Sequence, residues 1–358
     1  MRIPLLLLPA ALLACTRGGD AIPLNAAHSV CPPTGLFDHA VCACGDLANV
    51  GELHVRPGPA GIGSVGVNGT VALVADADIA GSLYAWGGFD AVGGSVGDRL
   101  VTPGDVVITG DAIIHDATIG GDLVATGDIT IDKLALGGRA IVTGGGAIAP
   151  SSPYVAPAAP PCGCDGSSFY DVAGAVAEAR TAVDDKVNWD RVGDGDLHLA
   201  SGSYYVTSAE IVGSSHFIID GNVSVFIDGS LDSVGSAQWQ LSPGATLDLF
   251  VAGDLAWVGD WTAGDPANPG AMRIYVGGSD STSIDSVGDT QLAASLYAPR
   301  VDVNYVGDTH VIGSIFAHSI NGVGSLTIDY GTPPTLPQSC SQPPGAPPHG
   351  DPTDGQIE

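Results

Sequence analysis

Residues 102–152 read TPGDVVITGDAIIHDAT, IGGDLVATGDITIDKLA and LGGRAIVTGGGAIAPSS, three consecutive segments of 17 residues that align without gaps. Thr109, Thr126 and Thr143 occupy one aligned position, and a glycine follows each of them. A short fixed period of apolar bursts separated by Gly/Asp corners is typical of a solenoid, in which each repeat forms one coil. We therefore expect this stretch to form stacked β-coils of 17 residues each.

The composition favours strands and tight corners over helices. The 358 residues include 52 Gly, and the 39 acidic residues are 35 Asp and only 4 Glu. Glu favours helices, whereas Asp and Gly favour turns. With 45% hydrophobic and 14% charged residues, the chain as a whole is not disordered. A net charge of −28 repels nucleic acid, so we expect no nucleic-acid partner.

A second repeat, built on a Val-Gly-polar corner, occupies the later part of the chain. Its intervals range from 17 to 29 residues, so the coils there should be longer and less uniform. An aromatic column keeps step with the corners, and two columns in register are strong evidence for stacked coils. The corners begin at Val192, Val212, Val234, Val258, Val287, Val306 and Val323, and the aromatic residues are Tyr205, Phe226, Phe250, Tyr275, Tyr297 and Phe316.

This aromatic column predicts an outward-facing ladder. The neighbours of the rings are aliphatic or small, and strand side chains alternate between the two faces. If the aliphatic residues fill the coil interior, the rings stand outside it, about 4.8 Å apart, and form an apolar patch. We expect the helix, the first solenoid or a partner to cover this candidate interaction ladder; the alternative is that the rings point inward. Its members are Phe226, Phe250, Tyr275, Tyr297 and Phe316.

The predicted fold is all-β, a parallel β-helix or β-solenoid in two stacked-coil regions, with one helix and a Pro-rich linker between them. The predicted segments are a signal peptide at 1–14, a tether at 15–40, a first solenoid at 41–150, the linker with Cys-x-Cys and the helix at 151–190, a second solenoid at 191–331 and a disordered Pro-rich tail at 332–358. The helix should run from about Asp171 to Lys186, with Ser168 or Asp171 as its N-cap. The helix and the cysteine pairs are also candidates for capping coil ends.

The N-terminus has the features of an export signal. One Arg precedes a Leu-rich run that is too short to span a bilayer. Leu12-Leu13-Ala14-Cys15 resembles the lipobox of bacterial lipoproteins, which implies cleavage before Cys15 and lipid attachment to it. By analogy with known sorting rules, Thr16 implies the outer membrane, at its periplasmic face or at the cell surface. The alternative is an ordinary secretory signal in which Cys15 has no role.

Six further cysteines would meet an oxidising compartment after export. An even count favours three disulfides, for which about 15 pairings are possible. We expect disulfides that tie the start of the first solenoid to the segment after it. A zinc site is the less favoured alternative, because Cys-x-Cys is not the usual zinc spacing. The candidates are Cys31, Cys42, Cys44, Cys162, Cys164 and Cys340.

Aspartates recur at equivalent positions of neighbouring coils. Asp105 aligns with Asp122, and Asp111 aligns with Asp128. Like charges about 5 Å apart repel each other unless they are solvated or bridged, and calcium prefers such oxygen ligands. The calcium-binding nonapeptide repeat does not occur in tandem. We therefore expect solvated turn aspartates and no cofactor, with calcium as the weaker alternative.

The function predicted from these patterns is non-catalytic. Cleavage of polysaccharide, the usual enzymatic use of a β-helix, needs paired carboxylates, and the pattern singles out none of the many aspartates. Trp239, Trp257 and Trp261 are the candidate aromatic platforms for a glycan, although core packing is the favoured role for them. We expect an envelope scaffold or adhesion module whose partner is an envelope protein or polysaccharide. A polysaccharide-binding or polysaccharide-cleaving β-helix is the alternative.

Several segments resemble Gly/Asp-rich β-solenoid surface lipoproteins of the myxobacterial type, a group without an assigned activity. The resemblance runs from about Val41 to Tyr330 and implies a β-solenoid in the cell envelope. The coil size is also similar to that of bactofilins, which are cytoplasmic cytoskeletal solenoids, but the export signal and the cysteines argue against that role. The matching segments are Pro161–Asp165, Tyr204-Tyr205, Leu247–Gly253, Arg273–Gly278, Ser295–Arg300, Gly313–Phe316 and Asp329-Tyr330.

Overall fold

The computed structural model describes residues 37–166, 169–277 and 281–331. The chain is nearly all β, with 61% strand, and winds into a solenoid of about 14 turns whose coils stack in parallel. One α-helix lies within the described residues. The predicted fold class is therefore confirmed.

The first region consists of short strands separated by Gly/Asp corners, and strands of neighbouring coils pair in parallel at the predicted 17-residue interval. Thr109, Thr126 and Thr143 are stacked as predicted, and the Thr126 hydroxyl donates to the Thr109 carbonyl at 3.0 Å. The strands are β1 (Val41–Ala43), β2 (Leu47–Val50), β3 (Leu53–Arg56), β4 (Val65–Val67), β5 (Thr70–Ile79), β6 (Leu83–Ala85), β7 (Gly88–Thr102), β8 (Val106–Ile108), β9 (Ala112–Ile119), β10 (Leu123–Ala125), β11 (Ile129–Leu136), β12 (Ala140–Val142), β13 (Gly146–Ile148) and β14 (Ser151–Pro153).

The second region follows the helix α1 (Val172–Ala182) and has longer coils. A single 3-10 turn, Pro269–Ala271, interrupts its strands. The strands are β15 (Lys186–Val187), β16 (Arg191–Val192), β17 (Gly195–Val206), β18 (Ala209–Val212), β19 (Ser215–Ile227), β20 (Leu231–Val234), β21 (Ala237–Leu241), β22 (Thr246–Val251), β23 (Leu255–Val258), β24 (Trp261–Gly264), β25 (Met272–Val276), β26 (Ser283–Val287), β27 (Thr290–Val306), β28 (Thr309–Val323) and β29 (Leu326–Tyr330).

The two regions form one rod, because the first coil of the first region stacks on the last coil of the second. β1 and β2 pair with β28, and β3 pairs with β29, all in parallel. Backbone bonds cross this junction, among them Gly324 N–H to the Val50 carbonyl at 3.0 Å. Two tyrosine hydroxyls cross it as well: Tyr305 donates to Asn49 at 2.7 Å and Tyr330 donates to the Phe37 carbonyl at 2.5 Å. We call this junction the seam.

The order of coils along the rod therefore differs from their order in the chain. Starting at one end, the coils run from residue 186 to residue 330, cross the seam, and continue from residue 41 to residue 153. One outward-facing column of paired residues documents the whole length: Asp196, His216, Gln238, Thr262, Gln291, His310, Thr327, His54, Asp78, Ser95, Ile113, Thr130 and Ala147. The first and last described residues, Phe37 and Gly331, lie at the seam, in the middle of the rod.

A column of glycines forms one corner of the coils, and it runs across the seam. Gly235, Gly259, Gly288, Gly307, Gly324 and Gly51 all have φ between +121° and +144°. A Cβ at any of them would meet the carbonyl oxygen of the preceding glycine in the column at 2.0–2.5 Å. Both the backbone conformation and the close approach of successive coils therefore require glycine.

Aliphatic side chains fill the interior, as strand alternation requires. One continuous core cluster contains residues from both regions, including Leu47, Leu53, Leu247 and Ile328. At the rod end near residue 186, Trp189 is buried against Phe217 and Trp239 and closes the coil. Capping by the helix or the cysteine pairs is therefore not what the structure has: the helix packs on the flank of the rod, and the described cysteines lie at the seam.

Residues 154–185 connect the two rod ends, and we call this segment the strap. It runs back along one flank, and its helix begins at Asp171, whose carboxylate accepts the Gly174 N–H at 2.9 Å. The helix ends at Ala182, four residues before the predicted end, because the chain enters strand β15 at Lys186. No helix in the described part of the chain has the length and hydropathy needed to cross a membrane.

Two predicted boundaries differ from the structure. The first region continues beyond Pro150 to Pro153, which β14 accommodates because edge strands tolerate proline. Residues 37–40, assigned to the tether, are folded at the seam: Phe37 and Ala40 are buried, and the Ala40 N–H donates to Ser64 at 2.8 Å.

Substitution of Gly259 by alanine should destabilise the rod more than substitution of Gly229. Both glycines have positive φ, +122° and +125°, so each substitution should cost about 1–3 kcal/mol in backbone strain. Only at Gly259 does the new Cβ also meet a neighbouring coil, whereas nothing lies within 4 Å of it at Gly229. Urea unfolding of both variants measures the difference. Equal losses of stability would contradict the stacked-corner account.

Candidate functional site

Two disulfides attach the strap to the seam. Cys42 bonds to Cys162 and Cys44 bonds to Cys164, each across 120 residues of sequence. This confirms the expected tie between the start of the first solenoid and the segment after it. The Cys162 backbone is held further by Asn68, whose side chain both donates to and accepts from it at 3.0 Å.

The aromatic ladder faces outward and is covered by the strap. Phe226, Phe250 and Tyr275 stack face to face with ring centroids 4.8 and 4.7 Å apart. Tyr170 of the strap packs on Phe250 and Tyr275 at 6.1 and 5.9 Å. The five ladder rings Phe226, Phe250, Tyr275, Tyr297 and Phe316 are all buried, in a cluster separate from the coil core.

Of the predicted ways to cover the ladder, the structure therefore has the helix and the residues around it. The interpretation of these five rings as a surface for a partner is corrected, because the chain's own strap occupies it. The strap ends this flank with further contacts: Phe169 packs edge-on to Phe316 at 6.1 Å, and the Tyr170 N–H donates to the Tyr297 hydroxyl at 2.9 Å. Burial of Tyr297 raises the pKa of its hydroxyl to about 12, so it stays protonated at neutral pH.

Polar contacts fix the helix at its C-terminal end. The Arg180 guanidinium donates to the Tyr205 hydroxyl at 2.9 Å and to Asp228 at 2.5 Å. The Tyr205 hydroxyl also donates to Asp228. The hydrogen bond to Tyr205, and then the one to Asp228, raise the pKa of Arg180. This cluster anchors the strap and holds its groups on one another.

The repeated aspartates join neighbouring coils through hydrogen bonds. Asp105 accepts the Asp122 backbone N–H at 2.8 Å, and Asp122 in turn accepts the Arg139 N–H at 2.8 Å. Asp111 accepts the Asp128 N–H at 2.8 Å, and Asp128 accepts from Gly145 at 2.6 Å. The Arg139 N–H, and then its guanidinium, lower the pKa of Asp122. A short carboxylate side chain thus stabilises the corner of the next coil.

The calcium interpretation gains no geometric support at these positions. Among the described residues, no three carboxylate, imidazole or thiol groups lie close enough together to hold a metal ion. One oxygen of each of the four candidates, Asp105, Asp122, Asp111 and Asp128, is already bonded to a backbone N–H of the next coil.

The three tryptophans considered as glycan platforms lie in the core. Trp239, Trp257 and Trp261 are only 2–8% exposed. Trp239 stacks on Phe217 with ring centroids 4.1 Å apart, and the Trp257 indole donates to Thr290 at 2.9 Å. They are therefore unable to stack on a sugar from solution.

Gly93–Gly97 has the Gly-x-Ser-x-Gly spacing of a nucleophile elbow, which sequence analysis did not single out. The elbow needs a strand-to-helix turn, whereas Ser95 lies inside strand β7. Its hydroxyl donates to Asp78 at 2.9 Å, and His54 lies on the far side of that carboxylate, 3.6 Å away. Because the carboxylate stands between the hydroxyl and the imidazole, His54 is not placed to take a proton from Ser95.

The most accessible polar site is a groove on the second region. It has a volume of about 620 Å³ and is lined by Asp194, Asp196, His216, Gln238, Asp260 and Thr262. The two nitrogens of His216 lie 3.5 Å from an Asp196 oxygen and 3.1 Å from the Gln240 amide oxygen. Sequence analysis missed this groove, because its members lie on four separate coils and share no local motif.

Histidine–aspartate pairs recur on the rod surface. His115 lies 2.6 Å from Asp132, and His198 lies 3.0 Å from Asp220. The hydrogen bond from His198, and then that from Ser242, lower the pKa of Asp220. These pairs join neighbouring coils, as the aspartate–backbone bonds do. Cys15, Cys31, Cys340 and the segments 1–36 and 332–358 lie outside the described residues, as does Ser168.

The disulfide pairing can be tested by removing cysteines two at a time. Cys42→Ser with Cys162→Ser should leave the free-thiol count of the denatured protein unchanged and cost about 2–4 kcal/mol of stability. Cys42→Ser with Cys164→Ser removes one partner from each bond and should expose two more thiols. Thiol titration measures both variants. The opposite result, with extra thiols only in the first variant, would show the crossed pairing.

Comparison with protein families gave one match. A family described as a domain of unknown function, DUF7305, matches residues 165–333. This segment contains the helix, the ladder that the helix covers and all strands of the second region, and it is slightly less than half of the chain. Searches of curated proteins and of solved structures gave no match. The second region with its helix is thus similar to this domain.

Proposed function

We propose that the protein is a non-catalytic structural or adhesion module of the cell envelope, attached to the outer membrane by lipid on Cys15. The observation that carries this proposal is the continuous rod. Its carboxylates, imidazoles and aromatic rings are largely engaged in contacts between coils or under the strap, which makes a stiff spacer with regular faces. Its partner is an envelope protein or polysaccharide.

The two disulfides support the location. Disulfides persist in oxidising compartments and are rare in the cytosol. Both bonds attach the strap at the seam, where the described chain begins and ends. An anchor that precedes Phe37 would therefore hold the rod near its middle and leave both rod ends accessible to partners.

Lipid attachment predicts that the full chain, expressed with its leader in a diderm bacterium, incorporates a clickable fatty acid and fractionates with the outer membrane. Cys15→Ser should abolish labelling, while Cys31→Ser, the matched control, should not. Labelled protein is detected by in-gel fluorescence after membrane separation. An unlabelled wild-type chain would refute the anchor. Reduced Cys42 and Cys44 in the cytosolic fraction would refute export as well.

A second candidate is polysaccharide binding at the groove lined by Asp196, His216 and Gln238. Carboxylates, amides and hydroxyls on one accessible face can hydrogen-bond sugar hydroxyls. The groove spans four coils, so it would accommodate an extended chain lying along the rod.

Incubation with acidic and neutral glycans distinguishes the two candidates. The non-catalytic proposal predicts no saturable release of reducing ends. If the groove binds glycan, His216→Ala should weaken binding several-fold, whereas His115→Ala, on a histidine far from the groove, should leave it unchanged. Saturable turnover that His216→Ala abolishes would replace the non-catalytic proposal with a polysaccharide-cleaving enzyme.

A further inference from the structure

The valines of the Val-Gly corners form a single file of exposed side chains along the whole rod. Direct strand pairing places seven corner valines and Val50 in one column. Val74, Val92, Thr109, Thr126 and Thr143 continue it, because the residues just before them pair in the same way. In order along the rod, the members are Val192, Val212, Val234, Val258, Val287, Val306, Val323, Val50, Val74, Val92, Thr109, Thr126 and Thr143. We call this set the valine column.

These side chains face solvent although they are apolar. Nine of the ten valines are 40–87% exposed, including Val306 at 51% and Val323 at 53%. Isolated exposed valines need no explanation, but a contiguous apolar surface marks an interaction site. The strap covers the aromatic ladder on the other flank, and it does not cover this column.

The valine column is also free of charge in a chain whose net charge is −28. At the centre of the column, the outward residues two positions before the valines are Asn304, Asn321 and Ala48, which are uncharged too. Two copies of so acidic a chain repel each other over most of their surface. The repulsion is weakest where this uncharged strip faces its counterpart.

A shallow depression lies beside the column at its centre. Its volume is about 330 Å³, and its lining includes Ala48, Val50, Asn304, Val306 and Val323. A ridge next to a depression is self-complementary: when two copies face each other across a two-fold axis, each ridge lies in the depression of the other. Val323 is the seventh of the 13 column members, so full overlap places the axis near it.

The spacing and the area fit a second copy. Valines recur at the strand spacing of about 4.8 Å, and a second copy matches that spacing along its whole length. A strip about 60 Å long and about 10 Å wide amounts to about 600 Å² on each copy, from strand dimensions. The total of about 1,200 Å² reaches the lower limit of specific protein interfaces.

We propose that the valine column is a homodimer interface, in which two rods lie side by side and antiparallel about a two-fold axis near Val323. This inference is independent of the proposed lipid anchor. The test therefore uses the full chain with Cys15→Ser, so that a failure of dimerisation is distinct from a failure of anchoring.

Analytical ultracentrifugation should show a dimer at about 100 μM, well above the micromolar dissociation constants at the weak end for standard interfaces. Val306→Asp with Val323→Asp places like charges at the axis and should raise the dissociation constant about 100-fold or more. Gln238→Asp with Thr262→Asp adds the same charges to adjacent coils of a different face and should leave the dimer intact. A monomeric wild-type chain, or a dimer that survives the valine substitutions, would overturn the proposal.

Charge complementation tests whether the two columns face each other. Val306→Lys with Val323→Lys should be monomeric alone and should form a heterodimer when mixed with the aspartate variant. Melting curves verify that the variants are folded. If the aspartate variant does not fold, Val306→Thr with Val323→Thr, which copies the side chain found at Thr109, should weaken the dimer about 10-fold. Unchanged affinity of the threonine variant, or no heterodimer between folded charge variants, would count against the interface.

Discussion

The rod depends on the close passage of successive coils at a corner where only glycine fits. Positive φ turns the chain there, and the carbonyl of one corner glycine occupies the space where the Cβ of the next would lie. Everything else follows from this stacking. It sets the spacing at which aspartates accept N–H groups from the next coil, the spacing of the stacked aromatic rings, and the alignment of the exposed valines.

The same stacking lets the rod be assembled out of chain order. Parallel coils present similar edges, so the edge of β28 and β29 accepts β1–β3 as readily as it would accept a coil that followed in sequence. What identifies this junction is its side-chain chemistry. Tyr305 and Tyr330 donate across it, and two disulfides fix the strap beside it. The strap joins the outer ends of the rod, while the described chain begins and ends in the middle.

The fold class was predictable from sequence because each coil repeats its own local pattern. The 17-residue alignment, the Val-Gly corners and the aromatic column all record the stacking, and strand alternation implied that the rings face outward. The seam was not predictable, because Gly324 and Gly51 meet across most of the chain and carry the same local pattern as any other corner pair. Neither the helix packing nor the capping by Trp189 has a periodic signal. The exposure of the valines could have been found: in Leu231–Val234, alternate residues are buried, which places Val234 outside.

The continuous rod is tested most directly by a distance between its ends. Asp196 and Ala147 are the first and last members of the paired column that crosses the seam. Spin labels at Asp196→Cys and Ala147→Cys, in chains diluted with unlabelled protein so that only the intramolecular distance is recorded, should lie about 60 Å apart at the strand spacing of about 4.8 Å. A distance below about 40 Å would mean that the two regions lie side by side, with no coil stacked across the seam, and would contradict the account.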